Sequence, residues 1–181
     1  GQDPVLTPRM DAFASKSMYC TDATSSFPLC SPHRASLFTG RWPQSTGMFT
    51  NCKPGLSVRL RDEEVCIGEV MKENGYRTAY IGKWHLDEPE INHSPEPLSG
   101  ARDWDAYTPP GVRRHGFDYW YAYNTCDTHL TPHYWTDSPE PIRVEQWSPE
   151  HETDVAIRYL KDAAEKEQPF ALFLSWNPPH S

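Results

Sequence analysis

The sequence predicts an α/β domain built on a mixed, mainly parallel sheet that is flanked by helices. An amphipathic helix that Gly75 ends leads directly into a strand at 77–81, and this helix–strand unit is the repeat of a parallel sheet. A second helix, which begins at Ser148, precedes the nearly continuous apolar run 170–176, a pattern typical of a central parallel strand. The length of 181 residues allows one domain or a piece of a larger one.

Composition excludes several classes of function. With 17 basic and 25 acidic residues the formal net charge is −8, which argues against a surface that follows nucleic acid phosphates. No apolar run approaches the roughly 20 residues that a membrane-spanning helix needs, so no membrane partner is expected. Residues 1–20 show no basic start followed by an apolar stretch, the pattern of a secretion signal. The 7 Trp, 9 Tyr and 7 Phe argue against a disordered chain.

Three helices are predicted from a shared start pattern, a hydroxyl residue that can cap the helix followed by a Pro that loses no hydrogen bond in the first turn. The pattern occurs at Thr7-Pro8, Ser31-Pro32 and Ser148-Pro149. The helix that begins at Thr7-Pro8 is expected to run to about Ser17, and Gly40 is expected to end the helix that begins at Ser31-Pro32. The helix that Gly75 ends is predicted from one apolar face, formed by Ile67, Val70 and Met71.

Residues 87–146 hold no period and carry many prolines, which predicts a long loop over the active face. Its aromatic side chains predict either sugar-stacking surfaces or, with equal weight, simple anchors of the loop; they are Trp104, Tyr107, Tyr119, Trp120, Tyr121, Tyr134 and Trp135. The loop also offers cationic and imidazole groups for sulfate or carboxylate groups of a substrate, namely Arg113, Arg114, His129 and His133.

Polar residues with chemical potential stand at the ends of the predicted elements. Cys30 lies just before a helix start, where the helix dipole favours an anion, and Arg34 follows one turn along; the alternative is a buried Cys before an ordinary helix. Lys83 and His85 follow one strand and alternate onto one side, and His180 follows another strand. Ligands of open α/β sheets bind beyond the carboxyl ends of the strands, so these groups are predicted to converge with Arg34.

The five cysteines contain no C-x-x-C pair, which argues against a zinc module. Among them, only Cys30 has Pro two residues on and Arg four residues on. The others are expected to be ordinary thiols or structural partners: Cys20, Cys52, Cys66 and Cys126.

Two longer segments resemble the signatures of the formylglycine-dependent sulfatase family, within the alkaline-phosphatase-like superfamily. They are CSPHRASLFTGR at 30–41 and GYRTAYIGKWHL at 75–86. The flanking TPRMD at 7–11 and NPPH at 177–180 are also similar to segments of this family, and GFDYW at 116–120 is similar to bacterial members that degrade polysaccharides. His33 departs from the small residue that many members carry, while the residues that modification mainly needs, Cys30, Pro32 and Arg34, are present.

The resemblance implies a mechanism. A formylglycine-generating maturation enzyme would oxidise Cys30 to 3-oxoalanine (formylglycine), whose hydrate is a geminal diol that attacks sulfur and later expels sulfate. Arg34 and Lys83 would hold the diol and sulfate oxygens, and His85 would assist proton movements. His180 would bind sulfate or act as general acid, with Arg114 and His133 as further substrate-binding residues. A divalent cation, usually Ca²⁺, would be bound in part through the group derived from Cys30.

The expected function is hydrolysis of sulfate monoesters, on sulfated glycans or aryl sulfates, in the periplasm or outside the cell. The alternatives are a phosphonate or phosphate monoester hydrolase of the same superfamily and an inactive, sulfatase-like binding fragment. Residues 1–181 are expected to form a partial catalytic domain that lacks the first strand with its Asp-Asp pair and the downstream cation ligands; Asp3 is not assigned as a ligand. The 181-residue chain by itself is therefore expected to be inactive.

Overall fold

The structure is a computed structural model that describes residues 4–91, 104–125 and 128–180. Its α-helices are α1 Pro8–Ala14, α2 Cys30–Thr39, α3 Pro43–Thr46, α4 Ile67–Glu73 and α5 Ser148–Ala164. Its strands are β1 Arg77–Lys83, β2 Glu90–Ile91, β3 Trp104–Asp105, β4 Tyr119–Tyr123, β5 His133–Tyr134, β6 Ile142–Arg143 and β7 Phe170–Ser175. A short 3₁₀ helix spans Val112–Arg114. Within these described residues no helix is long and apolar enough to cross a membrane.

The main sheet confirms the predicted α/β class. Three parallel strands are arranged in the order β4-β1-β7, so β1 is the central strand. The prediction that 170–176 is a central strand is wrong for the described sheet, because β7 pairs on one side only and its side chains are partly exposed. An apolar run shows that a strand contacts a core, but it does not show which neighbours the strand has.

The prediction of one long loop at 87–146 is also wrong, because strand β4 lies inside it. Ala79 of β1 pairs with Tyr119 and Lys83 pairs with Tyr123, in parallel register. The surrounding prolines hid this strand, whose sequence YWYAY carries large aromatic residues on both faces. Short antiparallel pairs, β2 with β3 and β5 with β6, also occur within this part of the chain.

Alternate residues of β1 and β4 supply the hydrophobic cores on the two faces of the sheet. Tyr80 and Trp120 pack on one face with Phe38 of α2. Ile81 and Tyr121 pack on the other face, in a cluster that α5 completes. The layers are therefore α2 and α4, the sheet, and α5, which is the arrangement of a parallel sheet covered on both faces.

The helix starts differ in detail from the prediction. α1 ends at Ala14 rather than near Ser17, and the Thr7 hydroxyl donates to the Asp11 carboxylate instead of capping the helix. α2 begins one residue before Ser31, which frees the Ser31 hydroxyl for a contact with another segment. Gly40 ends α2 in the left-handed conformation, as predicted.

Gly82 is where the central strand passes closest to its neighbour. Its φ is +99°, and a Cβ there would lie 2.3 Å from the Ser175 carbonyl oxygen. We expect Gly82→Ala to lower the free energy of unfolding by about 3 kcal/mol or more, because a left-handed cost of about 1–2 kcal/mol adds to the clash. The matched control is Gly55→Ala, since Gly55 has φ +78° and open space around it. Urea unfolding that gives equal losses for both variants would contradict the close approach at Gly82.

Candidate active site

The carboxyl ends of β1 and β7 meet at a buried polar contact. The Lys83 Nζ donates to the Asn177 Oδ1 at 3.0 Å, and the two residues are only 2% and 8% exposed. Lys83 ends β1 and Asn177 follows β7 by two residues, so the parallel register delivers both to one edge. A buried ammonium that donates to the Asn177 amide oxygen is a fixed positive charge at the position where α/β sheets bind ligands.

Arg34 connects helix α2 to this edge. Its Nη1 donates to the Lys83 carbonyl oxygen at 2.6 Å, to the Ser175 Oγ at 2.8 Å and to the Tyr80 hydroxyl at 3.2 Å. These contacts hold the guanidinium against the ends of both strands. The sequence placed Arg34 one turn after Cys30, but it gave no signal that Ser175 takes part.

Cys30 is the first residue of α2 and is half-buried. The next residue fixes its position, because the Ser31 Oγ donates to the His85 carbonyl oxygen at 2.7 Å and accepts from the Cys52 N–H at 3.1 Å. Asn51 also caps α2 from a distant part of the chain, since the Ser31 N–H donates to the Asn51 Oδ1 at 3.0 Å. Sequence reasoning missed Asn51 and Cys52, which no spacing within the motif indicates.

His85 is buried and neutral. Its backbone is left-handed, with φ +52°, so the strand alternation predicted for Lys83 and His85 does not extend to His85. Its Nε2 lies 3.2 Å from the Cys52 carbonyl oxygen, which makes Nε2 the protonated nitrogen. Burial, followed by the charge of Lys83, lowers the pKa of His85 to about 3. Its Nδ1 is buried without a hydrogen-bond partner among the described residues, so Nδ1 can accept a proton or a hydrogen bond.

His180 lies beyond the same end of β7, and its side chain is exposed. Its N–H donates to the Asn177 carbonyl oxygen at 3.1 Å, and its own carbonyl oxygen accepts from the His129 Nε2 at 2.7 Å. The structure therefore joins Cys30, Arg34, Lys83 and His85 through direct contacts and their neighbours. It joins His180 to Lys83 through Asn177.

Two predicted substrate-binding residues lie in the protein interior instead. Arg114 is 2% exposed, and its donors bond to the Thr108 and Thr136 carbonyl oxygens and to Asp137. His133 is 2% exposed, and its Nε2 lies 2.7 Å from the Asp105 Oδ2. Both side chains have internal partners that stabilise the fold, and their role in substrate binding stays a prediction.

Most of the aromatic residues predicted as sugar-stacking surfaces are core residues. Trp120, Tyr121, Tyr134 and Trp135 are each 9% exposed or less. Tyr119 is partly exposed but packs against Tyr159 of α5. For these residues the alternative of structural anchoring is correct. Cys126 and Asp3 lie outside the described residues.

The described residues do not assemble a calcium site at Cys30. Across this part of the chain, the thiol, imidazole and carboxylate groups form one set of three with ligand atoms in reach of one another, and it lies at Cys66, Glu69 and His115. Ca²⁺ takes six to eight oxygen ligands, usually with several carboxylates. The position of Cys30 suits the modified residue, since Cys30 is half-buried at the start of α2 and Arg34 follows one turn along the helix. A group derived from Cys30 would give a cation one ligand.

Glu152 of α5 lies behind the end of β1 and is fully buried. The Tyr134 hydroxyl donates to its Oε1 at 3.0 Å, and its Oε2 lies 3.1 Å from where a Gly82 Cβ would be. Burial raises the pKa of Glu152 to about 8, although hydrogen bonds with Tyr134 and Tyr123 act in the opposite direction. The carboxyl group is therefore protonated in the folded protein at neutral pH.

Glu152 gives the stability a pH dependence. The folded protein keeps this proton up to about pH 8, while the unfolded chain releases it near its ordinary pKa of 4.5, so stability falls as pH rises between these values. The slope is limited to about 1.4 kcal/mol per pH unit. We expect Glu152→Gln to flatten this dependence in urea unfolding between pH 5 and 8. Glu150→Gln, on the exposed side of the same helix, should leave it unchanged; an unchanged slope in Glu152→Gln would contradict the assignment.

The family model and two curated relatives that match this chain are all sulfatases. The family model described as Sulfatase matches residues 1–181. An endo-4-O-sulfatase of Bacteroides thetaiotaomicron is 43% identical over 187 residues, covering 99% of this chain and 37% of the relative. An ulvan-active sulfatase of Formosa agariphila is 41% identical, covering 99% of this chain and 32% of the relative.

A solved structure described as the sulfatase yidJ of Bacteroides fragilis superposes with a TM-score of 0.90 at 41% identity. The match covers 100% of this chain and 40% of the solved one. The chain therefore has the same α/β fold as the matching part of that sulfatase. The chain thus spans about a third of the length of the two curated relatives and two fifths of that solved structure.

Proposed function

Because the chain belongs to the sulfatase family, we propose that the full-length protein hydrolyses sulfate monoesters of a sulfated polysaccharide. The observation that carries the proposal is that the Arg34 guanidinium, one turn along α2 from Cys30, bonds to the Lys83 carbonyl oxygen at the strand end where the Lys83 ammonium is also buried. Two cationic side chains on the elements that meet at this edge suit the anionic oxygens of a sulfate ester better than a neutral ester.

Conversion of Cys30 to formylglycine would supply a hydrated aldehyde as the nucleophile. The chain's own residues provide the surroundings in which it acts. Lys83, held by Asn177, presents a preorganised positive charge to the oxygens on which negative charge develops. His85, neutral and with Nδ1 unpartnered in the described structure, can accept a hydrogen bond from the attacking group and so assist its proton movements. His180, exposed beyond β7, can approach the leaving-group oxygen from the solvent side.

The substrate class follows from the relatives. The two curated relatives are named as an endo-4-O-sulfatase and an ulvan-active sulfatase, which supports a sulfated glycan. A polymer of this kind would be met in the periplasm or outside the cell, and the protein would require a maturation enzyme for Cys30.

The test uses the full-length protein expressed together with a formylglycine-generating enzyme. We expect kcat/KM for aryl sulfate to exceed that for the matching aryl phosphate by at least tenfold, and release of sulfate from sulfated oligosaccharides. A preference for the phosphate would favour the phosphate or phosphonate monoester hydrolase. No turnover of either ester, with Cys30 converted, would favour a binding role.

Peptide mass spectrometry of the same protein tests the site of modification. We expect the aldehyde or its hydrate at Cys30 alone, because only Cys30 is followed by Pro32 and Arg34 in the required spacing. Cys20 serves as the internal control, since it is an exposed free thiol without that motif. Modification of Cys20, or an unmodified Cys30 in an active protein, would overturn the assignment.

A further inference from the structure

We propose that Cys66, Glu69 and His115 form a binding site for a thiophilic divalent metal ion such as Zn²⁺. One ligand atom of each residue lies within 4.8 Å of the other two. Cys66 and His115 are each 1% exposed, and Glu69 is half-buried. A thiol, a carboxylate and an imidazole are the ligand types that zinc sites in proteins use.

The start of α4 supplies two of the ligands. Cys66 is the N-cap residue and Glu69 is the third helical residue, so both side chains turn back over the first turn. The Cys66 N–H donates to the Glu69 Oε2 at 2.6 Å, which leaves Oε1 to face His115. The Cys66 side chain in turn accepts from the Glu69 N–H, so a thiol stands at the capping-box position that Ser or Thr usually occupies.

Close backbone contact holds the third ligand against the helix. His115 has a left-handed φ of +45°, an uncommon conformation for a residue other than Gly. A Cβ on Gly68 would lie 2.4 Å from the His115 carbonyl oxygen, and a Cβ on Gly116 would lie 2.2 Å from the Glu69 nitrogen. The chain at 115–116 therefore rests directly on the first turn of α4, and the His115 Nδ1 lies 3.6 Å from the Glu69 Oε1.

The group needs only a small contraction to bind a metal. Zinc bond lengths of about 2.0–2.3 Å place neighbouring tetrahedral ligands roughly 3.5 Å apart, so the three atoms would close by about 1 Å. A water molecule would complete the tetrahedron. Glu69, the half-buried member of the group, also lines a cavity of about 380 Å³, from which an ion could reach its carboxylate.

Binding involves proton release and no redox step. The Zn–S bond forms as the Cys66 thiol gives its proton to solvent. Nδ1 of His115 would coordinate in place of its 3.2 Å hydrogen bond to the Glu64 carbonyl oxygen, with the ring proton then on Nε2. Glu69 would bind through Oε1 and keep its Oε2 on the Cys66 N–H, so the helix cap is retained.

The ion would brace the segment that carries the candidate active site. The His115 ring packs near the ring of Trp84, with 6.3 Å between centroids, and Trp84 lies between Lys83 and His85 in the chain. The metal site does not depend on the proposed sulfatase activity. Its test is therefore a binding measurement, whose failure leaves the functional proposal untouched.

The test is a titration of the full-length protein with Co²⁺, with excess Ca²⁺ present to fill sites that are made of oxygen ligands. Co²⁺ bound to a thiolate gives a charge-transfer absorption that oxygen sites do not give. We expect one equivalent of Co²⁺ to produce this absorption and Zn²⁺ to displace it. Zn²⁺ should also raise the Tm of the protein, because it binds the folded state preferentially.

The decisive variant is Cys66→Thr, which restores a good helix cap and removes the thiolate. We expect it to fold, to lack the charge-transfer absorption and to show no Zn²⁺-dependent rise in Tm. Glu69→Gln and His115→Asn should weaken binding by more than about tenfold, since outer-shell changes already cost roughly 10–100-fold. Cys52→Ser is the matched control, because Cys52 is equally buried, and it should keep the absorption.

Either of two results would overturn the proposal. One is the absence of a cobalt–thiolate absorption in the wild-type protein. The other is an absorption that persists in a folded Cys66→Thr variant, which would place the metal on a different thiol.

Discussion

Cys30→Ala is expected to remove sulfate ester hydrolysis by the matured full-length protein, with a fall in kcat of about 10⁶-fold, the size of loss seen when a covalent nucleophile is deleted. Cys30 is the first residue of α2 and half-buried, and Ala is a good helix former, so the variant should fold. The fall in kcat would come from loss of the nucleophile and not from unfolding. No other described residue at this edge of the sheet lies at the start of an α-helix and carries the motif for modification.

The measurement is steady-state hydrolysis of an aryl sulfate, with the Tm recorded beside it. Cys20→Ala is the matched control, since Cys20 is an exposed free thiol outside the site, and its activity should equal that of the unaltered protein. An active Cys30→Ala variant, confirmed by mass spectrometry, would show that the nucleophile lies elsewhere.

Lys83→Met is expected to lower kcat by about 10²–10³-fold, the usual cost of removing one preorganised charge or donor from a transition state. Met keeps much of the length and volume of the Lys83 side chain but leaves no ammonium for the sulfate oxygens or for the Asn177 Oδ1. The change leaves the buried Asn177 Oδ1 without this donor, which costs about 1–3 kcal/mol of stability, so the Tm is recorded beside the kinetics to confirm that the variant is folded.

Separate kcat and KM values distinguish this role from simple substrate attraction. A charge that acts mainly in the transition state changes kcat and kcat/KM together, whereas uniform binding changes KM alone. Lys53→Met is the control, since Lys53 is exposed, and it should leave both constants unchanged. If the kcat of a folded Lys83→Met variant stays within tenfold of the unaltered value, Lys83 is not a catalytic cation.

Periodicity and helix-end residues correctly predicted several helices and strands. The apolar face of α4 and the start of β1 follow directly from periodicity, and Gly40 ends α2 because a helix end in the left-handed conformation favours glycine. The same rules failed for β4, because Tyr119–Tyr123 carries aromatic residues on both faces between prolines and has no alternation of polar and apolar residues. The capping prediction for Thr7 failed, since its hydroxyl donates to the Asp11 carboxylate and accepts no N–H of the first turn.

Residue type and spacing alone supply the candidate site residues: a Cys with Pro and Arg at the spacing of the family motif, and Lys83, His85 and His180 after strand ends. Those features depend on residue type and local order, which the chain states directly. Only the tertiary structure decided which side chains meet: Asn177 on Lys83, Asn51 on the start of α2, Arg114 and His133 inside the fold, and Cys66 beside His115. The physical reason is that contacts between distant segments depend on strand order, register and the close approach of backbones, and no local pattern in the chain specifies these.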